Sequence, residues 1–540
     1  MPRNPDRAAL GLALLLGAAL GAGACKRGAD ESTRPAPSAA ASVAHRPPGP
    51  WFSGTIEQAF TRARAERRTV FLYWGAAWCP PCNELSSEVF SKPRFAELMN
   101  GFVPVYLDGD TEEAQRSGEA LGVSAYPTML VLSPEREELL RVNGSVDLRE
   151  LEEALGAVVG RSKSFGAAVK RLEEGAPAAE DCRTLALAAW ELLPEKEWGL
   201  PRVLATLQRA ADRCPAEMRR ERAILASNLL GLAVTNRSAA GMEVAVGEVA
   251  ARAPALLDTL FADDETVWAS RAFVNHRAAD MAAWLHPGAA GEGYERLKAR
   301  WLGAASAIRG RAEASVDVRL WTVGPALDFH RHERPEGPVP EAMRAEVLAA
   351  VRLADERARS AYERHAAISG AAHLLRRVGA HEEARRMLVA EAERSDTPFY
   401  YHSSLSALEG ELGRTDEARA WSEKARKSAA GRATRLQWIA NDILLNAQLE
   451  GQRGYLLALA GEFYELATTL GDGFSGRNRT RADQVARALG PLRGDPEFGR
   501  LVARYRQRCE RIPEEGKKSC QAYFEDLLSS ARPLDVAPRP

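Results

Sequence analysis

Two patterns of hydrophobic and polar positions follow one another along the chain. From about residue 51 to residue 159, apolar runs of strand length alternate with helical segments and turn residues. From about residue 160 to residue 531, strand signals nearly vanish, and Ala, Leu, Arg and Glu recur at the three- and four-residue spacing of amphipathic helices. The pattern predicts an α/β domain at 51–159 followed by a large all-α domain at 160–531.

Within the α/β segment, the apolar runs predict four strands, at 69–74, 102–107, 129–132 and 139–142. Helical spacing is found at 56–66 and 83–90. Asp147 and Glu150 have the spacing of a capping box, which predicts that a last helix begins there.

A short repeat lies within the helical region. Residues 379–386 and 413–420 align at a shift of 34 residues, which is the tetratricopeptide period. Ala384 and Ala418 are small where paired helices would approach closely. The region therefore resembles a tetratricopeptide-like array of helical hairpins. Two clear units are fewer than the three that a solenoid usually needs, so an irregular α-solenoid or a helical bundle is expected.

Two cysteines separated by two prolines are the main candidates for chemistry. Cys79 and Cys82 follow the predicted strand 69–74 and precede the predicted helix 83–90. At a helix N-terminus, unpaired N–H groups and the helix dipole favour the thiolate of Cys79, while Cys82 lies one turn further in, positioned to resolve a mixed disulfide. Zinc would need four ligands, and neither a second C-x-x-C nor a histidine follows within the next hundred residues. Redox chemistry is favoured over a zinc site or an inert pair.

Residues from about 51 to 159 resemble the thioredoxin superfamily, and within it the periplasmic disulfide-reductase branch. The likeness is carried by Trp-Cys-Pro-Pro-Cys at 78–82, Phe-Val-Pro-Val-Tyr-Leu at 102–107 and Tyr-Pro-Thr at 126–128. It implies that Pro127 is cis and lies against the cysteine pair. It also implies a substrate-binding surface formed by Trp78, Tyr126 and Thr128.

One position departs from the family pattern. Thioredoxin has a buried aspartate six residues before its first cysteine, where it assists proton transfer, and here that position is Tyr73. A tyrosine cannot serve as that base near neutral pH. Glu84 and Glu88 on the following helix are candidates to replace it, and solvated carboxylates on the helix face are the alternative interpretation.

The N-terminus resembles a bacterial lipoprotein signal. Arg3 and Arg7 precede the apolar run 8–20, which is followed by Ala-Gly-Ala-Cys at 22–25. The likeness implies a signal peptide at 1–24 and lipidation of Cys25, with ordinary signal cleavage as the alternative. Lys26 would favour the outer membrane if the cell is Gram-negative. The expected location is the cell envelope, with the protein lipid-anchored and facing the periplasm.

Two segments are predicted to be disordered. Residues 25–50 comprise the lipidated cysteine and a linker rich in Pro, Ala and Ser, which would act as a tether. Residues 532–540 form a short tail.

Four further cysteines remain, an even number in a chain expected to reach an oxidising compartment. Cys182 and Cys214 are predicted to bridge one helical hairpin, and Cys509 and Cys520 a second. Buried free thiols are the alternative for each pair.

Charge excludes one class of function. The 540 residues include 72 Lys and Arg and 73 Asp and Glu, interspersed along the helices, so no basic surface for nucleic acid is expected.

His330, His332 and Glu333 could suggest a metal site, but they are interpreted as a solvated loop, since no second ligand cluster accompanies them. No metal or organic cofactor is expected.

These observations predict a thiol-disulfide oxidoreductase. Cys79 would attack a substrate disulfide, Cys82 would resolve the mixed disulfide, and Pro127 would shape the substrate surface. The resemblance favours reduction over oxidation. The expected partners are cell-envelope protein thiols or disulfides and a membrane electron donor or acceptor. The alternative is a tetratricopeptide-like binding scaffold with a thioredoxin-fold docking module of little turnover.

Overall fold

The computed structural model describes residues 46–123, 125–158, 164–175, 177–429, 431–448, 452–512 and 514–529. The predicted signal peptide, Cys25, most of the predicted linker and the C-terminal tail lie outside the described residues. Of the helices in the described part of the chain, none combines the length and the apolar composition needed to cross a membrane.

The first part of the chain alternates helices and strands. Its elements are α1 Ile56–Glu66, β1 Thr69–Gly75, α2 Pro80–Leu85, α3 Pro93–Met99, β2 Phe102–Asp108, α4 Glu112–Ala120, β3 Thr128–Leu132, β4 Glu138–Asn143 and α5 Leu148–Val158. The four strands form one sheet in the order β2-β1-β3-β4, in which β1 runs parallel to β2 and antiparallel to β3. All four predicted strands are present.

Strand β1 is buried on both faces of the sheet, which explains its continuous apolar sequence. Because side chains of a strand alternate between faces, Phe71 and Tyr73 join one hydrophobic core, while Leu72 and Trp74 join the other. The predicted α/β fold is confirmed.

The predicted helix 83–90 consists of two different parts. Helix α2 ends at Leu85, and residues Ser86–Phe90 form a π-helical segment in which the N–H of Ser91 donates to the carbonyl of Ser86 at 3.2 Å. The hydroxyl of Ser86 donates to the carbonyl of Cys82 at 2.9 Å. Such side-chain bonds compete with the regular helical ladder, which periodicity of apolar residues does not reveal.

The rest of the described chain is helical, as predicted. Its α-helices are α6 Phe165–Glu174, α7 Ala179–Leu187, α8 Glu195–Trp198, α9 Leu200–Arg213, α10 Arg219–Thr235, α11 Glu243–Leu260, α12 Asp264–Ala269, α13 Arg271–His276, α14 Ala278–Leu285, α15 Glu292–Gly310, α16 Val316–Trp321, α17 Gly324–Glu333, α18 Glu341–Arg357, α19 Ala361–Arg377, α20 His381–Arg394, α21 Pro398–Glu411, α22 Thr415–Ser428, α23 Arg432–Asn446, α24 Arg453–Ala467, α25 Gly476–Ala488, α26 Pro496–Arg508 and α27 Glu514–Ser529.

The described chain forms two compact units. The first comprises residues 47–109 and 113–384, and therefore contains the sheet together with the helices as far as α19. The second comprises residue 46, residues 110–112 and the described residues from 385 onward.

Within the first unit, the helices pack against the α/β fold through a buried ion pair. Glu150, only 4% exposed, closes the predicted capping box with Asp147, whose N–H donates to Glu150 Oε2 at 2.8 Å. Arg271 of α13 donates to both oxygens of the same carboxylate, at 2.8 and 2.7 Å. Trp268 Nε1 donates to Asp147 Oδ2 at 3.0 Å. The N-terminus of α5 is therefore held by the helical region.

The second unit has its own hydrophobic core, with Tyr464, Tyr523 and Phe524 at its centre. Asp442 is buried there and accepts hydrogen bonds from Ser422 Oγ at 2.8 Å and Arg426 Nε at 3.0 Å. Burial raises the pKa of Asp442.

The predicted repeat has the same local structure at both sites. Gly379 and Gly413 adopt left-handed backbone conformations, with φ of 73° and 71°, in the short connections before α20 and α22. This conformation favours glycine. Ala384 and Ala418 are both buried one turn into the following helix. The helical region is consistent with a tetratricopeptide-like arrangement.

The four remaining cysteines are brought together in pairs. The sulfurs of Cys182 and Cys214 are 2.14 Å apart, and those of Cys509 and Cys520 are 1.99 Å apart. All four residues are buried.

The histidine segment interpreted as a loop is instead the last turn of α17. His330 is buried, and its Nε2 lies 3.1 Å from the carbonyl of Pro338. His332 Nε2 lies 2.8 Å from the carbonyl of His286. The Pro-rich sequence that suggested a loop begins only after this turn. Among the described residues, no group of three or more His, Cys, Asp or Glu side chains is arranged to hold a metal ion.

Candidate active site

The cysteine pair lies where β1 ends and α2 begins. The sulfurs of Cys79 and Cys82 are 2.16 Å apart, at disulfide distance. Cys79 is the N-cap residue of α2, with extended backbone angles, and its sulfur accepts a hydrogen bond from the N–H of Cys82 at 3.3 Å. The attacking position expected for Cys79 therefore coincides with the N-terminus of a helix.

The two prolines determine which backbone group serves this sulfur. Pro80 and Pro81 are the first two residues of α2 and have no N–H. Proline is well tolerated there, because these N–H groups have no partner within a helix. The first N–H available at this end of the helix is therefore that of Cys82. A thiolate at Cys79 would be stabilised chiefly by this single donor and by the helix dipole.

The disulfide is almost enclosed. Cys79 is 4% exposed and Cys82 is 2% exposed, and both pack in a small cluster with Ala76, Trp78 and Tyr126. The rings of Trp78 and Tyr126 are half-buried and meet edge to face, 6.4 Å between centroids. These two aromatic side chains are the partly exposed members of the cluster.

Segment 126–128, which is expected to lie against the cysteines, contains the predicted cis peptide bond. The Tyr126–Pro127 peptide bond is cis, and Pro127 is buried. The hydroxyl of Tyr126 accepts from Gln115 Nε2 at 3.0 Å, which anchors the ring. Thr128 is fully buried, and its hydroxyl donates to the carbonyl of Ala125 at 2.7 Å. The Thr128 side chain therefore supports this loop and does not face solvent.

Tyr73, the position at which the sequence departs from the thioredoxin pattern, lies in the core of the α/β fold. It is fully enclosed among the rings of Trp51, Phe90 and Tyr106. Burial, and secondarily the charge of Asp108, raises the pKa of Tyr73. The phenol stays protonated at physiological pH and cannot accept a proton from a thiol.

The two glutamates considered as replacements have different surroundings. Glu84 accepts a hydrogen bond from Ser315 Oγ, which caps α16, at 2.8 Å. Burial, followed by the charge of Glu84, raises the pKa of Asp317 in the same helix. Glu88 pairs with Lys92 at 3.4 Å on the surface. Glu84 is therefore a contact between the cysteine-bearing helix and the helical region, and the solvated interpretation holds only for Glu88.

Sequence reasoning missed Asn83, the residue directly after the second cysteine. Asn83 is buried, and its Nδ2 donates to the carbonyls of Ala77 and Cys79 at 2.7 and 2.9 Å. A signal was present, since asparagine within a helix often bonds to nearby backbone groups instead of facing solvent.

The comparison with known protein families agrees with this geometry. Residues 56–158 match the family model described as a thioredoxin-like domain. No curated protein is significantly similar to the chain. The chain thus contains a thioredoxin-like domain with a cysteine pair at disulfide distance, which is a thiol-disulfide oxidoreductase-like module, followed by a large helical region.

Proposed function

We propose that the protein is an exported thiol-disulfide oxidoreductase that reduces disulfides of cell-envelope proteins. The observation that carries the proposal is the Cys79–Cys82 pair at the N-terminus of α2 within a thioredoxin-like domain. The cis peptide bond before Pro127 and the half-buried rings of Trp78 and Tyr126 support a substrate surface beside the pair.

The proposed reaction is a two-step exchange. The thiolate of Cys79 attacks one sulfur of the substrate disulfide, forming a mixed disulfide and releasing the other substrate sulfur as a thiolate. The thiolate of Cys82 then attacks the sulfur of Cys79. The second substrate thiolate leaves, and the Cys79–Cys82 disulfide is formed. Two electrons and two protons have then passed to the substrate, and a membrane electron donor would restore the dithiol. No metal or organic cofactor takes part.

Insulin reduction by the chain lacking its signal segment tests the proposal. In the presence of dithiothreitol as electron source, we expect the wild-type protein to accelerate precipitation of the insulin B chain. Cys79→Ser should return the rate to the uncatalysed background, because the attacking sulfur is gone. A wild-type rate equal to this background would contradict the proposal and favour the alternative of a binding scaffold.

We also propose that Cys25 anchors the protein to a membrane by lipid, facing the periplasm. The segment 22–25 supports this, and so do the two further cysteine pairs at bonding distance, because such pairs are typical of oxidising compartments.

Cys25→Ser is expected to move the protein from the membrane fraction to a soluble or unprocessed form, because a lipidated cysteine is the proposed anchor. Fractionation with immunoblotting, together with mass spectrometry of the mature N-terminus, measures this. Cys182→Ser serves as a control for the loss of a cysteine elsewhere. Membrane association that persists in Cys25→Ser, with an unmodified Cys25 in the wild type, would rule out lipidation.

A further inference from the structure

Asn83 connects the cysteine-bearing helix to the loop that precedes it. Its amide nitrogen carries two hydrogens, and the two carbonyls that it reaches, at Ala77 and Cys79, accept one each at 2.7 and 2.9 Å. The backbone N–H of Asn83 also donates to the carbonyl of Cys79 at 3.0 Å. Because Asn83 is only 5% exposed, water does not replace these bonds readily.

The residues held by this amide are those that determine where the Cys79 sulfur lies. Ala77 and Cys79 flank Trp78, and Cys79 is the last residue before the helix proper. Pro80 and Pro81 have no N–H to donate, so other groups must hold the loop at this point. Besides the Asn83 amide, the N–H of Cys79 itself donates to the carbonyl of Ala76 at 3.1 Å.

We propose that Asn83 is a positioning residue for thiol-disulfide exchange, which holds Cys79 in register with Cys82 when the pair is reduced. This inference rests on the proposed function. In the disulfide form, the covalent ring holds Cys79 near Cys82 with or without Asn83. In the dithiol form, no covalent bond joins the two residues, and the Asn83 amide takes over part of this restraint. The side chain therefore restricts the dithiol more than the disulfide.

Loss of the amide should shift the redox equilibrium in a defined direction. Without Asn83, the dithiol form gains freedom and its carbonyls reach water, whereas the disulfide form cannot relax as far. The dithiol is then favoured, and the reduction potential of the Cys79–Cys82 pair becomes less negative. If about half of one net hydrogen bond distinguishes the two forms, the equilibrium constant with glutathione changes about twofold, which corresponds to about 9 mV at 29.6 mV per tenfold change. Resolution by Cys82 should also slow, so that mixed disulfide accumulates transiently.

The test compares the full chain lacking its signal segment with three variants, equilibrated in glutathione buffers and quantified by thiol trapping. Asn83→Ala removes the amide, and Asn83→Leu keeps a side chain of similar size that cannot donate a hydrogen bond. Both should shift the equilibrium constant toward the dithiol by about twofold. Asn446→Ala is the matched control, because Asn446 is also buried and its Nδ2 donates to the carbonyl four residues earlier, that of Asp442, at 2.8 Å. It should leave the constant unchanged.

Each outcome is decisive. A wild-type protein whose cysteines never equilibrate with glutathione would refute the proposed function itself. Wild-type equilibration with an unchanged constant in both Asn83 variants would refute only the positioning role. An equal shift in Asn446→Ala would assign the effect to general destabilisation and would overturn the inference as well.

Discussion

Cys82→Ala should accumulate covalent mixed disulfides with cell-envelope proteins, and Cys79→Ala should not. The reason lies in the positions of the two sulfurs. Cys79 is the N-cap residue, where its sulfur accepts the N–H of Cys82 and its thiolate is favoured. When Cys82 is absent, the adduct on Cys79 cannot be resolved from within the chain, so it persists. Non-reducing electrophoresis after acid quenching, followed by mass spectrometry of the adducts, measures the result.

The two variants are well matched for this comparison. Both cysteines are almost fully buried and belong to the same small cluster, so each alanine substitution removes a similar contact. The double variant gives the background from the remaining cysteines. Equal adduct yields from the two single variants would contradict the assignment of Cys79 as the attacking sulfur. A reversed ratio would assign that role to Cys82.

Arg271→Met should destabilise the first compact unit by about 3–5 kcal/mol, because it leaves the buried carboxylate of Glu150 without its principal counter-charge. Arg271 binds both oxygens of this carboxylate at 2.8 and 2.7 Å, and Glu150 is 4% exposed. The expected result is a shift of the unfolding transition of this unit to lower urea concentration, measured by tryptophan fluorescence.

Arg62→Met provides the control for this prediction. Arg62 pairs with Glu66 at 2.7 Å on the exposed surface of α1, where such a pair contributes at most about 1 kcal/mol.

A rescue experiment separates charge from packing. Adding Glu150→Gln to Arg271→Met should restore much of the lost stability, since the neutral amide can still accept a hydrogen bond from the N–H of Asp147. Equal effects of Arg271→Met and Arg62→Met would show that the buried pair contributes no more than a surface pair. Failure of Glu150→Gln to rescue would assign the loss to packing.

Two contacts join the thioredoxin-like domain to the helical region. Glu150 and Arg271 join α5 to the helical region, and Ser315 binds Glu84 on the cysteine-bearing helix itself. We therefore expect the helical region to contribute to the stability of the thioredoxin-like domain, in addition to any role in selecting partners. Experiments on exchange are accordingly best made with the full chain.

The sequence by itself determined the features that depend on neighbouring residues. Strand β1 was predictable because its apolar run is continuous, and the capping box at Asp147 because its two members are three residues apart. The cysteine pair was predictable for the same reason. Its two cysteines are separated by two prolines, which a helix accepts only in its first turn. The apolar run before the pair and the helical spacing after it therefore predict that the helix begins between the cysteines.

Only the tertiary structure decided which polar side chains are buried and what they bind. Glu84 and Glu88 are alike in sequence context, yet Glu84 binds Ser315, which lies 231 positions away in the chain, while Glu88 remains at the surface. Thr128 was expected to face substrate, but it is the first residue of a central strand and its side chain is enclosed. Periodicity specifies which face of an element is apolar, but the partner that covers a polar group is chosen by long-range packing, and that choice is not encoded locally.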